Sequence, residues 1–151
     1  DTSSIPSNST IDTAIISFWI LSKSDGLSLS VNVTAFTPAS NADLVTGDFA
    51  IANFGSSDFS TDATIASIGT AAYRDFTFNA TGRNAITIAG TSRFAFRTTA
   101  DIDNSAPSWI SGADSFLEMA YADTAGTSND PKLVVTYTPP LDDTGGVFLI
   151  Q

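Results

Sequence analysis

Apolar and polar side chains alternate along residues 27–35, and this period of two restricts the fold more than any other feature. One face of that stretch would carry Leu27, Leu29, Val31, Val33 and Ala35, and the other only Ser, Asn and Thr. A period of two is typical of a β-strand with one buried face. Glu, Gln, Lys and Leu, which favour helices, are scarce, so we expect an almost entirely β fold.

Similar alternation recurs along the chain between clusters of Gly, Pro, Asn and Asp. We predict strands at residues 63–68, 73–78, 94–97, 117–121 and 133–137. Residues 37–60 are predicted to form long loops that carry short strands or one helical turn near residues 44–49. The dipeptide Asp25-Gly26 predicts a hairpin between the first two strands. Short strands separated by turns are typical of two antiparallel sheets that pack as a sandwich.

The charge balance argues against nucleic acids and anionic membranes as partners. The formal net charge is −10, and only six Lys and Arg residues are spread through the sequence. Binding to phosphate groups needs clustered basic side chains. No apolar run approaches the roughly 20 residues of a membrane span, so we expect none. The first residues lack the basic-then-apolar order of a signal peptide, so a secreted protein would be in its mature form.

The residue types also exclude several catalytic sites. The chain has neither His nor Cys, which excludes Ser-His-Asp and Cys-His nucleophiles, thiolate zinc sites and disulfides. Paired carboxylates could still hydrolyse glycosides. Acidic residues close together in the sequence are Asp101, Asp103, Asp114, Glu118 and Asp123. Their spacing fits no catalytic motif, and solvated loop acids are the simpler interpretation, so we expect no enzyme activity.

Two further ligand sites are suggested by loop residues. Asp101 and Asp103 could offer oxygen atoms to a Ca²⁺ ion, although Ca²⁺ takes six to eight oxygen ligands and the EF-hand spacing is absent. Beyond this ion, no cofactor is expected. Trp109 lies in a polar loop and is the candidate platform for stacking a glycan, with contacts inside the loop as the alternative.

Residues 13–21 are apolar on both faces of the predicted strand. One face would carry Ala14, Ile16, Phe18 and Ile20, and the other Ile15, Trp19 and Leu21. The second group is either covered by a loop or forms a contact with another subunit. Glycosylation acceptor patterns begin at Asn8, Asn32 and Asn79, although such matches also arise by chance in a chain rich in Ser and Thr.

The C-terminal residues form a separate apolar segment. Val147, Phe148, Leu149 and Ile150 are consecutive and follow paired prolines at 139–140 and a turn at 142–144. A strand with two apolar faces suits a position inside a sheet better than a solvated tail. We therefore predict a β-sandwich domain over residues 1–138, a linker over 139–146 and a complementing strand over 147–151.

Three segments resemble the DNRLRE-type modules. They are residues 1–14 (Asp-Thr-Ser-Ser-Ile-Pro-Ser-Asn-Ser-Thr-Ile-Asp-Thr-Ala), residues 130–137 (Asp-Pro-Lys-Leu-Val-Val-Thr-Tyr) and residues 92–97 (Ser-Arg-Phe-Ala-Phe-Arg). Those modules are jelly-roll sandwiches, some of them classed as carbohydrate-binding, in secreted, cell-surface and phage structural proteins. The resemblance covers nearly the whole chain. It implies an all-β, jelly-roll-like antiparallel sandwich and a location outside the cell, on a cell surface or on a virion.

One departure from the family pattern bears on assembly. In the family, a strand of the type aromatic-Leu-aromatic-Phe runs directly into the Asp-Thr-Ser-Ser-Ile-Pro segment, whereas here Asp1 is the first residue. Residues 147–151 have the character of that strand. We expect them to complete the sandwich, either in their own chain or in a neighbouring one. The connector, residues 138–146, spans at most about 30 Å and permits both arrangements, and its prolines favour donation to a neighbour.

The leading hypothesis is a non-enzymatic extracellular or virion structural protein. It would assemble with copies of itself into a filament by donating its C-terminal strand. The alternative is a carbohydrate-binding module, either monomeric or part of a larger secreted protein. A lyase or hydrolase that uses the loop acids is a third hypothesis.

Overall fold

Two antiparallel β-sheets pack against each other in the computed structural model, which describes residues 1–43, 45–122 and 125–141. The strands along the chain are β1 (Thr10–Asp25), β2 (Ser30–Ala35), β3 (Ala63–Thr64), β4 (Ala72–Thr77), β5 (Phe94–Thr98), β6 (Ser115–Met119) and β7 (Lys132–Thr138). The prediction of an all-β antiparallel sandwich is confirmed. The predicted strand at 147–151 lies outside the described residues.

The long strand β1 organises the first sheet because it pairs with three other strands. β4 pairs with one edge of β1, where Tyr73 lies opposite Trp19. The other edge is shared, since β7 pairs with the first part of β1 and β6 with the last part. The register of β6 shifts between Ile20 and Ser22, at the point where β1 passes from one partner to the other.

The second sheet is built around β2, which pairs with β3 on one edge and with β5 on the other. The polar face of β2 is not solvated, since Asn32 and Thr34 are both fully buried. The loop that follows β2 covers this face. Asn32 Nδ2 donates to the carbonyl oxygen of Ser60 at 2.9 Å, and Asn32 Oδ1 accepts from Ser60 Oγ at 2.7 Å. The outer face of the second sheet is therefore closed by polar contacts.

The hairpin predicted at Asp25-Gly26 is wrong, because β1 and β2 belong to different sheets. The Asp25 carboxylate accepts hydrogen bonds from the backbone N–H groups of Leu29, at 2.7 Å, and Ala66, at 3.0 Å. Gly26 N–H donates to the carbonyl oxygen of Asp114 at 2.8 Å. These bonds connect the turn to both sheets, so the chain crosses the sandwich here.

The loop after β2 contains the expected helical turn, as a 3₁₀ turn at Thr46–Phe49. Asp48 holds this loop, because its carboxylate accepts from the backbone N–H groups of Val45, at 2.9 Å, and Ser40, at 3.0 Å. These hydrogen bonds lower the pKa of Asp48, and the bond from Val45 has the largest effect. Two short helices follow later, α1 (Ala80–Asn84) and α2 (Thr99–Ile102). The strand predicted at residues 63–68 shrinks to β3, followed by a 3₁₀ turn at Ile65–Ser67.

Aromatic rings from both sheets fill the centre of the sandwich. The ring centroid of Phe96 in β5 lies 5.1 Å from that of Phe18 in β1 and 5.4 Å from that of Phe76 in β4. A second group joins Phe59, Phe78 and Phe94 through edge contacts. Edge geometries of this kind add to the energy of burial. They also show that β5 faces β1 and β4 across the core.

Candidate functional site: an open strand position beside β5

The core is closed on one side of the sandwich and open on the other. On the closed side, Phe76 of β4 and Val33 of β2 are at most 1 % exposed. On the other side, β5 and β7 turn apolar residues inward that are only half-buried, namely Phe94, Phe96, Leu133 and Val135. Tyr137, the next residue on this face of β7, is 37 % exposed. Part of the apolar interior is thus uncovered in the described part of the chain.

The uncovered region corresponds to a strand position next to β5. Among the described residues, β5 pairs with β2 alone, so its second edge has no strand partner there. Phe59, whose N–H donates to the carbonyl oxygen of Val33 in β2, contacts Phe78 just after β4. β2 therefore lies towards the β4 side of the sandwich. The free edge of β5 points the other way, so a strand beside it would lie opposite β7.

A groove of about 330 Å³ marks this position. It is lined by Asp1, Thr2, Ser4, Ile5, Leu133, Val135 and Tyr137. One wall is the inner face of β7, and the other wall is the first segment of the chain. Thr2 is buried and fixes that segment, because its Oγ1 donates to the carbonyl oxygen of Thr87 at 2.7 Å and its N–H to that of Gly90 at 2.8 Å. Residues 1–5 are thereby held just ahead of β5.

The outer edges of β4 and β7 are also without a strand partner among the described residues. A strand added beside β7 would lengthen the first sheet without an opposing layer, so its inward side chains would meet solvent. A strand added beside β5 would instead cover Leu133 and Val135. A strand beside β5 would therefore remove apolar surface of the core from water, which a strand beside β7 would not do.

The sandwich has two distinct ends. One end is formed by the end of β1, the start of β2, the end of β5 and the start of β6. We call it the Trp109 end, because the segment that contains Trp109 leads into β6. The start of β1, the end of β2, the start of β5 and the end of β7 lie at the opposite end, which we call the Thr138 end. The contact of Thr2 with Gly90 also belongs to the Thr138 end. The open position beside β5 extends between the two ends.

The predicted assembly strand, Val147 to Ile150, lies outside the described residues, so its placement stays a prediction. The predicted subunit contact is on the outer face of the first sheet. Ile15 and Trp19 are half-buried there, and Leu21 is 44 % exposed. The ring of Trp19 contacts that of Tyr73, whose hydroxyl donates to the carbonyl oxygen of Ser128 at 2.9 Å. The loop that contains Ser128 thus covers this face near Tyr73.

The candidate glycan residue and the glycosylation acceptors differ in accessibility. Trp109 is 80 % exposed, in the segment between α2 and β6. Asn32 is fully buried, and its amide is bonded to Ser60. Asn79 caps α1, because its Oδ1 accepts from the N–H of Gly82 at 3.0 Å. Asn8 is exposed and has a positive φ of 65°.

The candidate acids do not form a cluster. Asp101 is bound by Arg97, whose Nε donates to Asp101 Oδ2 at 2.7 Å. Asp114 accepts a hydrogen bond from Ser24 Oγ and Glu118 accepts one from Ser22 Oγ, so both carboxylates bind side chains of β1. Asp123 lies outside the described residues. In the described part of the chain, no three acidic side chains come close enough to hold a metal ion, and Asp101 and Asp103 form no such group.

One acidic residue has an unusual environment. Burial raises the pKa of Asp58, and the nearby carboxylates of Asp62 and Asp103 raise it further. Its Oδ1 is buried without a hydrogen-bond partner in the described residues. No sequence pattern indicated this group, because the three residues are brought together only by the loops over the second sheet.

Part of the groove lining has no signal in the sequence. Thr2 and Ile5 lie in a polar segment with no strand pattern, yet both are buried. The alternation of Leu133, Val135 and Tyr137 indicated their shared face, and only the sheet order shows that this face lacks a full cover. Among the described residues, no helix is long and apolar enough to cross a bilayer. No family model, curated protein or solved structure matches this chain.

Proposed function

We propose that this chain is a non-enzymatic structural protein that polymerises by strand donation. Residues 147–151 of one subunit would fill the position beside β5 of the next subunit. The observation that carries the proposal is the uncovered apolar interior between β5 and β7. The resemblance to DNRLRE-type modules suggests a location outside the cell, on a cell surface or on a virion.

Strand direction favours a neighbouring subunit over the same chain. All described strand pairs are antiparallel, so an antiparallel occupant beside β5 would run from the Trp109 end to the Thr138 end. β7 runs the same way and finishes at Thr138. A tail that continues straight ahead therefore meets the next subunit in the required direction. Within its own chain, the tail would have to reverse twice, or reverse once and pair in parallel.

The tail also matches the position in length and chemistry. β5 has five residues, as does the segment 147–151. Whichever face of the donated strand is turned inward, two of the four large apolar side chains at 147–150 would point towards the half-buried residues of β7. Full burial of a large apolar side chain contributes about 1.5–3 kcal/mol, so two contribute about 3–6 kcal/mol before the cost of association.

Removal of residues 147–151 tests the proposal. We expect the shortened chain to form soluble monomers with a lower Tm and no filaments, as judged by sedimentation and negative-stain microscopy. The matched pair of variants is Phe148→Asp with Leu149→Asp, which places a charge on each face of the strand, and Asp142→Ser with Asp143→Ser, which changes only the linker. Filaments should disappear in the first variant and persist in the second. Filaments that survive the truncation would refute strand donation.

A peptide of residues 145–151 provides a second test on the shortened chain. Bound peptide should raise the Tm with increasing concentration, because a ligand that binds only the folded state stabilises it. A wild-type chain that stays monomeric, with its tail protected from proteases, would instead support insertion into its own sandwich.

Glycan binding through Trp109 is a second candidate function. The exposed fraction of its side chain, 80 %, favours it, because a flat aromatic face can stack on a sugar ring. A glycan array should then show binding that Trp109→Ala abolishes. Phe116→Ala is the control, since Phe116 is 44 % exposed on the outer face of the first sheet.

A further inference from the structure

Large apolar side chains are exposed at both ends of the sandwich. At the Trp109 end, Trp109 is 80 % exposed and Ile110 is 54 % exposed. At the Thr138 end, Leu141 is 96 % exposed, and Phe49 and Ile51 are each 68 % exposed. Such side chains at two opposite ends of the sandwich suggest contacts made end to end.

The loop with Phe49 and Ile51 belongs to the Thr138 end because it leaves and rejoins the sheet there. It follows β2, which runs towards that end, and the N–H of Thr37 donates to the carbonyl oxygen of Asn53 at 2.9 Å. Phe36 then pairs with Phe54 as the chain returns. The strand β7 finishes at the same end, so Leu141 lies only three positions beyond it.

The Trp109 segment belongs to the opposite end for a similar reason. It connects α2, which follows β5, to the start of β6. The segment is folded locally, since Ala113 N–H donates to the carbonyl oxygen of Ile110 at 3.1 Å. The N–H of Gly26, at the end of β1, donates to Asp114. Trp109 and Ile110 thus lie in a segment that is fixed by this local turn and, through Asp114, by the residue after β1.

The length of the connector brings these two ends together. A donated strand antiparallel to β5 would start at the Trp109 end of the acceptor, after residues 139–146 of the donor. Eight residues span at most about 29 Å. The Thr138 end of the donor must therefore lie within that distance of the Trp109 end of the acceptor.

We infer that Trp109 and Ile110 dock on the Thr138 end of the subunit that donates its tail, against Phe49, Ile51 and Leu141. The partner is a second copy of this chain in head-to-tail orientation. The inference rests on the strand donation proposed above and adds a second, separate contact between the same two subunits. The contact fixes the angle between successive sandwiches, which a single strand on a linker does not fix.

The first test compares critical concentrations for polymerisation, measured by sedimentation. Trp109→Ala should raise the critical concentration about 10- to 30-fold, as truncation of a buried interface Trp does. Tyr121→Ala is the matched control, because Tyr121 is 64 % exposed and follows the end of β6, away from both ends. An unchanged critical concentration for Trp109→Ala would overturn the inference.

A peptide measurement separates docking from strand insertion. The chain without residues 147–151 should bind the peptide of residues 145–151 equally well with and without the Trp109→Ala substitution, because the peptide brings no second sandwich. If the substitution weakens peptide binding to the same extent as polymerisation, Trp109 acts on the strand position itself and the docking contact is refuted. A wild-type chain that forms no polymers refutes both the proposed function and this inference.

Cysteine cross-linking tests the orientation, and the chain has no Cys of its own. A double variant, Ile51→Cys with Ile110→Cys, should give a ladder of oligomers on a denaturing gel after mild oxidation. The single variants should give no ladder. A dimer from Ile110→Cys alone would indicate that two Trp109 ends meet, and it would exclude the head-to-tail contact.

Discussion

The strands on both sides of the sandwich turn apolar residues inward, yet only one side is closed. On the β2–β4 side, Phe76 and Val33 are fully buried, and Phe59 is inserted beside Phe78. On the β5–β7 side, Phe96 and Val135 point inward but remain half-buried. An alternating pattern thus decides which way a side chain faces, and the presence of a neighbouring strand decides how much of it is covered.

Truncation of a core ring should give the largest effect. Phe76→Ala should lower the free energy of unfolding by about 3–5 kcal/mol, because it removes a fully buried ring that contacts Phe18 and Phe96. Phe116→Ala, on the exposed outer face, should cost no more than about 1 kcal/mol. Urea unfolding measures both. Equal costs would show that the β2–β4 side is no better filled than the surface.

A matched pair of valines compares the two sides directly. Val33→Ala should lower the free energy of unfolding by about 2–3 kcal/mol, and Val135→Ala by about 1 kcal/mol or less in the chain without residues 147–151. The difference follows from burial, since Val33 is fully buried and Val135 only half. Saturating peptide of residues 145–151 should raise the cost of Val135→Ala alone. A cost at Val135 that the peptide leaves unchanged would contradict its place in the strand position.

The polar contacts that cover the outer face of the second sheet can be tested at Asn32. Asn32→Ala should lower the free energy of unfolding by about 2 kcal/mol, because Ser60 loses its buried hydrogen-bond partner. Thr61→Ala is the control, since Thr61 is exposed in the same loop. A neutral Asn32→Ala would mean that water replaces the amide and that this face is less closed than its burial indicates.

The smallest expected effect is the pH dependence contributed by Asp58. Its folded pKa is raised above the ordinary value of 3.8, so its contribution to stability is present below that value and is lost as the pH rises through the raised pKa. Asp58→Asn should therefore stabilise the protein at pH 7, and this gain should shrink as the pH falls towards 4. Urea unfolding at pH 7, 5 and 4 measures it. A gain that grows on acidification would contradict the raised pKa.

The strands were predicted well from the sequence where the period of two was clear. Residues 27–35, 73–78, 94–97 and 133–137 all contribute strands, and alternate apolar residues such as Val33, Phe76 and Val135 face inward as expected. Prediction was poorer where local chemistry was ambiguous. Asp25-Gly26 is a favourable hairpin turn, yet hydrogen bonds to Ala66 and Asp114 direct the chain into the other sheet. Those partners lie far along the chain, beyond any local pattern.

The candidate site shows the same division. One wall of the groove, Leu133, Val135 and Tyr137, follows from alternation, whereas the other wall comes from Thr2 and Ile5 in a segment with no strand pattern. The burial of Asn32 could not be predicted either, because an Asn on the polar face of an alternating strand is expected to face solvent until a loop is known to cover it.

By itself, the sequence determined the class of secondary structure, the inward faces of the strands and the absence of His and Cys chemistry, because these depend on residue type and short-range period. The tertiary structure decided which strands became neighbours and which edges lacked a partner among the described residues. Strand order is set by contacts between residues far apart in the chain, whose energies appear only when both sheets are assembled. The open position beside β5 is a property of that order.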